Sequence, residues 1–439
     1  MLARPASALG KLLSVQQRPV ENFTLANGLQ VVVLPSRRAP IVNQVLVYKA
    51  GSADEVAGQT GLAHFLEHMM FKGTTTVGPG EFSRLISRNG GRDNALTDFD
   101  VTVYHQTIAA DRLELIMRLE ADRMVNLRIA EHELIPEKQV VLEERRMRLE
   151  NSPAALLDQA AREQLFGYHR PYGMPTIGYL PDIKRLGAAE LAGFYRKHYA
   201  PNNAVLIVAG DTTGDQVRRL ADKYYGPIGR RPIEPRRRPS EGGQGLPQRV
   251  QRADARVVEP SWSREYLAPS YRMGETKYAC ALTVLAYLVG GAETSRLWQA
   301  LVDQSKLALS ASADYHPASL GLTTFDLSVH PAPGKAMADI EQAVADQMKK
   351  LVDDGVTAEE LEQAQNQLLA AAIFSQDSLA SGPRFYGAML GVGGTVDDVN
   401  AWPQRIAAVT RDDIVAAARH VWRDDGQVTS LLTPAEGAR

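Results

Sequence analysis

The second half of this 439-residue chain repeats the order of elements in the first half. The segment EFSRLI at 81–86 has a counterpart in ETSRLW at 293–298, and both halves continue with a strand pattern and then two long helical patterns. Such a duplication requires two similar cores of roughly 200 residues, an ordinary domain size. We therefore expect an α+β protein of two homologous domains, each a mostly antiparallel β-sheet packed with helices.

A segment rich in proline, glycine and arginine separates the two copies. It runs from Gly226 to Arg249 and shows neither helical nor strand periodicity, which predicts an interdomain linker. The expected boundaries are 1–228 for the N-terminal domain, 229–249 for the linker and 250–439 for the C-terminal domain. The basic run Arg236 to Arg238 is predicted to be solvated, because short charged runs in linkers usually face water.

Composition and charge exclude several classes of function. The net charge is −2 and the pI is about 6.5, so the protein has no overall basic field that would attract nucleic acid. No run reaches the roughly 20 apolar residues that are needed to span a bilayer. The single cysteine, Cys280, excludes a disulfide framework and a thiolate metal site, and we expect it to be buried as an apolar filler.

Local patterns predict the elements of the first copy. Asn27-Gly28, within FTLANGLQVVVLP, is typical of a hairpin turn between two strands. The remaining predicted elements are helices at 61–72, 80–89, 111–126, 135–150 and 215–225, and strands at 100–108 and 204–210.

The motif with the clearest chemistry is GLAHFLEHMMFKGT at 61–74. On a helix, positions four apart differ by only about 40° around the axis, so His64 and His68 present their imidazoles to one point, with Glu67 on the adjoining edge. Two neutral imidazoles are good zinc ligands, and a catalytic zinc site needs a third protein ligand plus an activated water. We predict that His64 and His68 bind zinc and that Glu67 accepts the proton of the water.

A third ligand is offered by EKQVVLEERRMRLE at 137–150. Glu137 and Glu144 are seven residues apart, about 20° from eclipsed on a helix, whereas Glu143 points about 100° aside. Taken alone, an acidic helix of this kind is more often a solvated face than a source of ligands. The residue pattern therefore leaves the third ligand open.

With these motifs the chain resembles the pitrilysin-type peptidases of family M16, close to the short two-domain branch that contains mitochondrial processing peptidases and bacterial relatives. The resemblance extends from Phe23 to the C-terminal strand and implies the LuxS/MPP-like metallohydrolase fold. It implies a zinc metalloendopeptidase with one Zn²⁺ per chain, in which the inverted motif H-x-x-E-H is completed by Glu144 and supported by Glu137. The resemblance favours the bacterial periplasm over the cytoplasm.

The segment GGRDNALTDFDVTVYHQ at 90–106 resembles the family's edge strand beside the metal, where Asn94 and Ala95 would contact the peptide. An extended substrate can add to such an edge by main-chain hydrogen bonds, which favours unstructured peptides over folded proteins. Asn94 could equally be a turn residue after Gly90-Gly91, and the sequence leaves both interpretations open.

The second copy lacks the polar residues of the first. Alignment of the two copies places Ala364 opposite Glu137 and Ala371 opposite Glu144, and no H-x-x-E-H motif follows the linker. Only the N-terminal copy is therefore expected to carry a metal site.

The resemblance also implies an arginine and a tyrosine in the C-terminal domain that hold the substrate and stabilise the oxyanion. The corresponding positions here are Val302 and Leu309, which cannot donate hydrogen bonds. The loss of one such donor costs about 2.7–4 kcal/mol of transition-state stabilisation. We therefore expect a heterodimer in which a second M16-like subunit supplies the arginine and the tyrosine.

Two alternatives stay open at this point. The chain could be a non-catalytic structural or core subunit of a larger complex, although four convergent polar residues argue against that role. It could also be a self-sufficient homodimeric peptidase, which the missing donors disfavour. The substrate and its cleavage preference are not encoded in any recognisable pattern.

Overall fold

The computed structural model describes residues 20–239, 248–375 and 378–435, and within them the chain forms two β-sheets. The first sheet contains β1 (Glu21–Thr24), β2 (Gln30–Pro35), β3 (Ile41–Tyr48), β4 (Arg92–Thr97), β5 (Thr102–Ala109) and β6 (Ala204–Gly210). The second sheet contains β7 (Gln248–Asp254), β8 (Ser261–Ala268), β9 (Ala308–Tyr315), β10 (Thr323–Pro331) and β11 (Gln427–Pro434).

The strand orders of the two sheets confirm the duplication. The first is β1-β2-β6-β3-β5-β4 and the second is β7-β11-β8-β10-β9, so the two orders match strand for strand from β2 onward. In each sheet one pair is parallel, β2 with β6 and β7 with β11, and the other pairs are antiparallel. The predicted α+β class of two mostly antiparallel sheets is confirmed.

Helices occupy equivalent places in the two halves. Those of the first half are α1 (Leu62–Met69), α2 (Glu81–Arg88), α3 (Leu113–Asn126), α4 (Glu131–Arg145), α5 (Pro153–Phe166), α6 (Leu180–Arg185), α7 (Ala188–His198) and α8 (Gly214–Tyr224). Those of the second half are α9 (Ala279–Gly290), α10 (Met337–Asp354), α11 (Ala358–Ser375), α12 (Ser381–Gly391), α13 (Val396–Asn400), α14 (Trp402–Ala407) and α15 (Arg411–Val421). Two π-helical turns are Arg146–Glu150 and Trp298–Gln304.

The predicted hairpin is present at the start of the first sheet. β1 pairs antiparallel with β2, with Phe23 opposite Val31. Gly28 has a φ of +91°, and a Cβ there would lie 2.8 Å from the Cβ of Asn202, so only glycine suits the turn. The Asn27 amide donates to the carbonyls of Tyr225 and Ile228, which ties the turn to the end of α8.

Each sheet has one face covered by a helix from the other half. Met389 and Leu390 of α12 pack on Val47, Val205 and Ile207 of the first sheet. In the opposite direction, Leu165 and Phe166 of α5 pack with Val428 of the second sheet. Since α5 and α12 hold equivalent places after the two long helices of each copy, the exchange is reciprocal. Two smaller apolar clusters, one on each sheet, therefore contain residues from both halves.

The prediction that the basic linker run is solvated is wrong for two of its three arginines. Arg236 donates to the carbonyl oxygens of Asp100 and Gly391. The Arg238 side chain is 2% exposed and forms ion pairs with Asp54 at 2.9 Å and Asp100 at 2.8 Å. The two carboxylates are themselves almost fully buried, and a buried carboxylate needs a paired cation.

The linker is described up to Pro239, and Ser240 to Pro247 lie outside the described residues. Arg237 is exposed as predicted. The boundaries 1–228, 229–249 and 250–439 stay a prediction.

Cys280 is a free thiol that is partly buried against the second core, in keeping with an apolar filler. None of the described helices is both long enough and apolar enough to cross a membrane.

Candidate metal centre

A buried carboxylate determines where helix α1 begins. Glu55 accepts hydrogen bonds from the backbone N–H groups of Gly61 at 2.8 Å and Ala63 at 2.7 Å. These groups have no partner within the helix, and a negative charge at a helix N-terminus is favourable. Burial nevertheless raises the pKa of Glu55 well above its usual value. The start of α1 is thus held from outside the helix, just before its first histidine.

The two histidines of α1 converge on one glutamate of α4. The His64 and His68 rings lie 4.8 Å apart between centroids. The Oε2 atom of Glu144 lies 3.6 Å from His64 Nε2 and 3.1 Å from His68 Nε2. One ligand atom from each of these three residues falls within 4.8 Å of the others. The structure brings together the residues that the sequence analysis named as zinc ligands.

The spacing of these atoms suits a zinc ion. With bonds of about 2.0–2.2 Å in tetrahedral geometry, neighbouring ligand atoms are about 3.4 Å apart, and the two measured separations lie on either side of that value. His64 Nδ1 is buried without a hydrogen-bond partner among the described residues. Two imidazole nitrogens and one carboxylate oxygen leave the fourth position for water. The donor set therefore fits a catalytic zinc centre.

Charged residues outside the ligand cluster orient the ligand side chains. Glu137 Oε1 lies 2.8 Å from His68 Nδ1, so the ring can donate through Nδ1 and leave Nε2 free as a ligand. Lys72 forms an ion pair with the other oxygen of Glu137. Arg148 holds Glu144 Oε1 at 2.7 Å, which leaves Oε2 directed at the histidines.

The pKa values of the two histidines are shifted in opposite directions. Burial, followed by the charge of His68, lowers the pKa of His64 to about 4. Burial also acts to lower the pKa of His68, but hydrogen bonds to Glu137 and Glu144 outweigh it and raise the value to about 9. The hydrogen bond from His68 lowers the pKa of Glu144. A metal ion that binds here displaces the proton of His68, which makes its affinity dependent on pH.

Glu67 faces the edge of the first sheet rather than the carboxylates. The Thr97 hydroxyl donates to Glu67 Oε2 at 2.5 Å. Burial raises the pKa of Glu67, although the hydrogen bond from Thr97 opposes that effect. A carboxylate with a raised pKa is better matched to accept a proton near neutral pH. Glu67 is thus poised as a base beside the ligand cluster.

The helix that carries Glu144 differs slightly from the prediction. α4 begins at Glu131 rather than near Ile135, and the final residues Arg146–Glu150 form a π turn. Glu143 points away from the cluster and pairs with Arg146 at 2.5 Å on the surface. The helical geometry that separated Glu143 from Glu144 in the sequence holds in the structure.

Strand β4 forms the outer edge of the first sheet beside the cluster. Asn94 lies within this strand rather than in a turn, and its side-chain oxygen accepts a hydrogen bond from Ala95 N at 2.8 Å. The expectation that the whole segment 90–106 forms the edge strand is wrong, because its second part, which includes Tyr104, belongs to β5, which lies between β4 and β3. A cavity of about 700 Å³ is lined by the cluster, by Asn94 and Ala95, and by Ile177.

The two positions predicted to lack oxyanion donors lie on the second half. Val302 belongs to the π turn Trp298–Gln304 and is partly buried against the second core. Leu309 lies on β9, the outer strand of the second sheet, and is 48% exposed. Both side chains are apolar, so neither can stabilise developing negative charge.

Several residues of the site were missed by the sequence analysis. Lys72 follows His68 by four residues and Arg148 follows Glu144 by four, so helical spacing could have identified both. Thr97 could have been suspected only once the edge strand was placed next to α1. Glu55 lies in an irregular loop and had no periodic signal.

Comparison with known proteins agrees with this geometry. Residues 31–170 match the family described as "Insulinase (Peptidase family M16)", and residues 185–368 match "Peptidase M16 inactive domain". An uncharacterized zinc protease of Mycobacterium tuberculosis, Rv2782c, is 31% identical over 405 residues, which cover 91% of this chain and 90% of that protein. The chain belongs to peptidase family M16. The zinc protease PqqE of Helicobacter pylori is 29% identical over 418 residues, covering 94% of this chain and 93% of the relative.

Two solved structures of proteases have the same architecture. A protease from Helicobacter pylori superposes with a TM-score of 0.88 at 28% identity, covering 95% of this chain and 100% of that chain. The first half of the periplasmic protease PqqL from Escherichia coli has a TM-score of 0.81 at 20% identity, covering 96% and 93%. At that lower identity the likeness concerns the fold. Zinc proteases are thus the named relatives of this M16 chain.

Proposed function

We propose that this chain is the zinc-carrying subunit of an M16 endopeptidase that hydrolyses unstructured peptides. The observation that carries the proposal is the convergence of His64, His68 and Glu144 next to Glu67, beside the open edge of a sheet. A purely structural role does not require two imidazoles and a carboxylate to converge at the spacing of a metal ligand set.

Each residue of the cluster has a separate task in hydrolysis. His64, His68 and Glu144 would hold the zinc, and Glu137 with Lys72 keeps His68 in the ligating orientation. A zinc ion held there would supply a Lewis acid and an acidified water. Glu67, which accepts a hydrogen bond from the Thr97 hydroxyl, would act as the base that accepts a proton from the attacking water and returns it to the leaving amine.

The substrate would be held on β4 as an added strand. The outer edge of β4 is available for main-chain hydrogen bonds, and Asn94 and Ala95 lie in the same cavity as the ligands. Strand addition requires an extended segment and recognises little of its sequence. Unstructured peptides are therefore the substrate class that this edge would accept.

A second M16-like subunit would complete the site. Val302 and Leu309 cannot donate hydrogen bonds to an oxyanion, so the arginine and the tyrosine would come from the partner in a heterodimer. This chain alone would then bind zinc yet hydrolyse peptides slowly. The periplasm stays the predicted compartment.

The competing function is that of a non-catalytic core subunit. The observation that favours it is the match of residues 185–368 to a domain described as inactive, together with the two apolar positions. The two functions differ in whether bound zinc takes part in hydrolysis. A core subunit has no hydrolytic use for Glu67.

The experiment combines the chain, purified free of other proteins, with an M16-like chain that lacks H-x-x-E-H but has the arginine and the tyrosine. We expect cleavage of an unfolded peptide only in the mixture. Glu67→Gln should keep zinc but lower the rate by at least about 10²-fold, the usual contribution of a general base. Full activity of Glu67→Gln contradicts the catalytic role, and equal activity of the isolated chain contradicts the heterodimer.

A further inference from the structure

The ligands come from two antiparallel helices that must be held at a fixed separation. At one end of the pair, Lys72, three residues after the end of α1, pairs with Glu137 of α4. At the opposite end, the start of α1 and the end of α4 both contact one segment, Pro175–Asp182, which consists of a loop and the first residues of α6 and which we call the Gly178 bracket. The sequence of the bracket does not indicate a role in metal binding, because none of its side chains belongs to the cluster of candidate ligands.

Two glycine backbones interlock between the bracket and α1. Gly61 has a φ of +85° and Gly178 has a φ of +90°. A Cβ on Gly61 would lie 2.5 Å from the carbonyl oxygen of Ile177, and a Cβ on Gly178 would lie 2.5 Å from that of Thr60. Real Cβ atoms do not approach backbone oxygens so closely. The start of α1 can therefore occupy this position only while both residues are glycine.

Buried hydrogen bonds fasten the same junction. The Thr60 hydroxyl donates to Asp182 Oδ2 at 2.7 Å and accepts from Tyr179 N at 2.8 Å. Thr60 N also donates to Asp182 at 3.2 Å. Thr60 is fully buried and Asp182 is 5% exposed. A donor or acceptor of these residues that loses its partner therefore cannot form a replacement hydrogen bond with water.

The bracket is joined to α4 by the residue that follows the glutamate ligand. Arg145 Nε donates to the carbonyl oxygen of Gly178 at 3.0 Å, and its guanidinium also pairs with Glu150. Arg145 is a buried residue at the C-terminal end of α4. Arg145, the residue next to Glu144, is thus hydrogen-bonded to the carbonyl group of Gly178, and Gly178 packs against the start of the helix that carries His64.

We infer that the Gly178 bracket is a positioning device that sets the distance between the histidine pair and Glu144 and so determines zinc affinity. The inference rests on the proposed zinc function of this site. Thr60, Arg145 and Gly178 contact no ligand atom, so they would act through the relative placement of α1 and α4. A metal site tolerates errors of only a few tenths of an ångström in its ligand distances.

The test measures the zinc affinity of the full chain by competition with a chromophoric chelator, together with the unfolding temperature of the metal-free form. Gly178→Ala should weaken zinc binding by about 10–100-fold, the range found when residues that orient ligands are changed. The matched control is Gly58→Ala. Gly58 also has a positive φ, of +87°, but a Cβ there meets nothing within 4 Å.

A milder pair of variants covers the case in which Gly178→Ala does not fold. Thr60→Val removes the hydroxyl at nearly constant volume and should lower zinc affinity, whereas Thr60→Ser keeps the hydroxyl and should restore it. All affinities are measured well below the unfolding temperature of each metal-free variant, so loss of stability alone cannot lower them.

The outcomes separate this inference from the function on which it rests. If the wild type binds no zinc, the proposed function fails and the inference fails with it. If the wild type binds zinc and both Gly178→Ala and Thr60→Val bind it equally well, only the inference about the bracket is overturned. A loss in Gly58→Ala as large as that in Gly178→Ala would also overturn it.

Discussion

The two halves of this M16 chain share one strand order but differ in what fills the space between equivalent helices. In the first half, α4 directs Glu137 and Glu144 toward the histidines of α1. In the second half, the aligned helix α11 has Ala364 and Ala371, and Ala364 is buried in the second core. The same strand order therefore forms without the polar cluster. Its presence in only one copy is best explained by chemistry rather than by packing.

The comparison also shows where the two halves cooperate. The equivalent helices α5 and α12 each cover the sheet of the opposite half. Among the described residues, the His and Glu cluster lies in one copy only, whereas each copy buries apolar surface of the other.

The largest effect should come from removing one ligand carboxylate. Glu144→Gln should lower zinc affinity by at least about 10²-fold, because a neutral amide is a far weaker zinc ligand than a carboxylate. Metal analysis after dialysis against a weak chelator measures the change. If this variant keeps full zinc occupancy, the metal site lies elsewhere.

The neighbouring residue provides the matched control for that prediction. Glu143 is exposed and pairs with Arg146, so Glu143→Gln should retain zinc. Ala371→Glu tests the second half in the same assay. It should gain no zinc, because no pair of histidines faces that position. Zinc binding by this variant in the absence of Glu144 would show that the two halves differ less than their sequences indicate.

The next effect concerns the two apolar clusters that contain residues of both halves. Leu165 and Leu390 are 1% and 0% exposed, and each packs in an interface between the halves. Leu165→Ala and Leu390→Ala should each lower the free energy of unfolding by about 2–5 kcal/mol. Because each helix covers the other half's sheet, both variants should still unfold in one transition, as measured by calorimetry.

Phe374→Ala provides the control on α11, since Phe374 is 71% exposed and its truncation should have little effect. Two separate transitions in Leu390→Ala, with only the first half destabilised, would contradict shared folding of the two cores.

The smallest effect concerns two carboxylates on the second sheet. Glu265 on β8 lies directly opposite Asp326 on β10. Burial, followed by the charge of Asp326, raises the pKa of Glu265 to about 8, and burial raises that of Asp326 to about 6. Arg162 of α5 opposes both pKa shifts and His316 opposes that of Asp326, while Asp158 of α5 adds to the shift of Glu265.

An acid whose pKa is raised on folding destabilises the folded state as it ionises. The stability associated with Glu265 is therefore complete below its unfolded pKa of about 4.3 and is lost as the pH rises through about 8. Glu265→Gln should raise the free energy of unfolding by roughly 1–3 kcal/mol above pH 8 and leave it unchanged near pH 4. Urea denaturation at both pH values measures this difference.

The exposed acid Asp314 lies opposite Asp326 on the next strand, and Asp314→Asn is the control. It should change stability by less than about 0.5 kcal/mol at either pH. A gain for Glu265→Gln that is equal at both pH values would show that ionisation is not its cause.

The sequence by itself determined the features that depend on short periodic spacing. The four-residue interval of His64 and His68 and the seven-residue interval of Glu137 and Glu144 place each pair on one helical face, as the structure shows. The hairpin at Gly28 and the duplication also follow from local pattern. A helix or a strand has a fixed repeat, so the direction of each side chain relative to its neighbours can be deduced before the fold is known.

Only the tertiary structure decided which distant segments meet. The exchange of α5 and α12, the burial of Arg236 and Arg238, and the contact of Gly178 with Gly61 join residues far apart in the chain. The basic linker run was predicted to be solvated because its carboxylate partners, Asp54 and Asp100, lie in other segments. Contacts of this kind have no periodic signal, since they depend on how whole helices and sheets pack to bury apolar surface and pair buried charges.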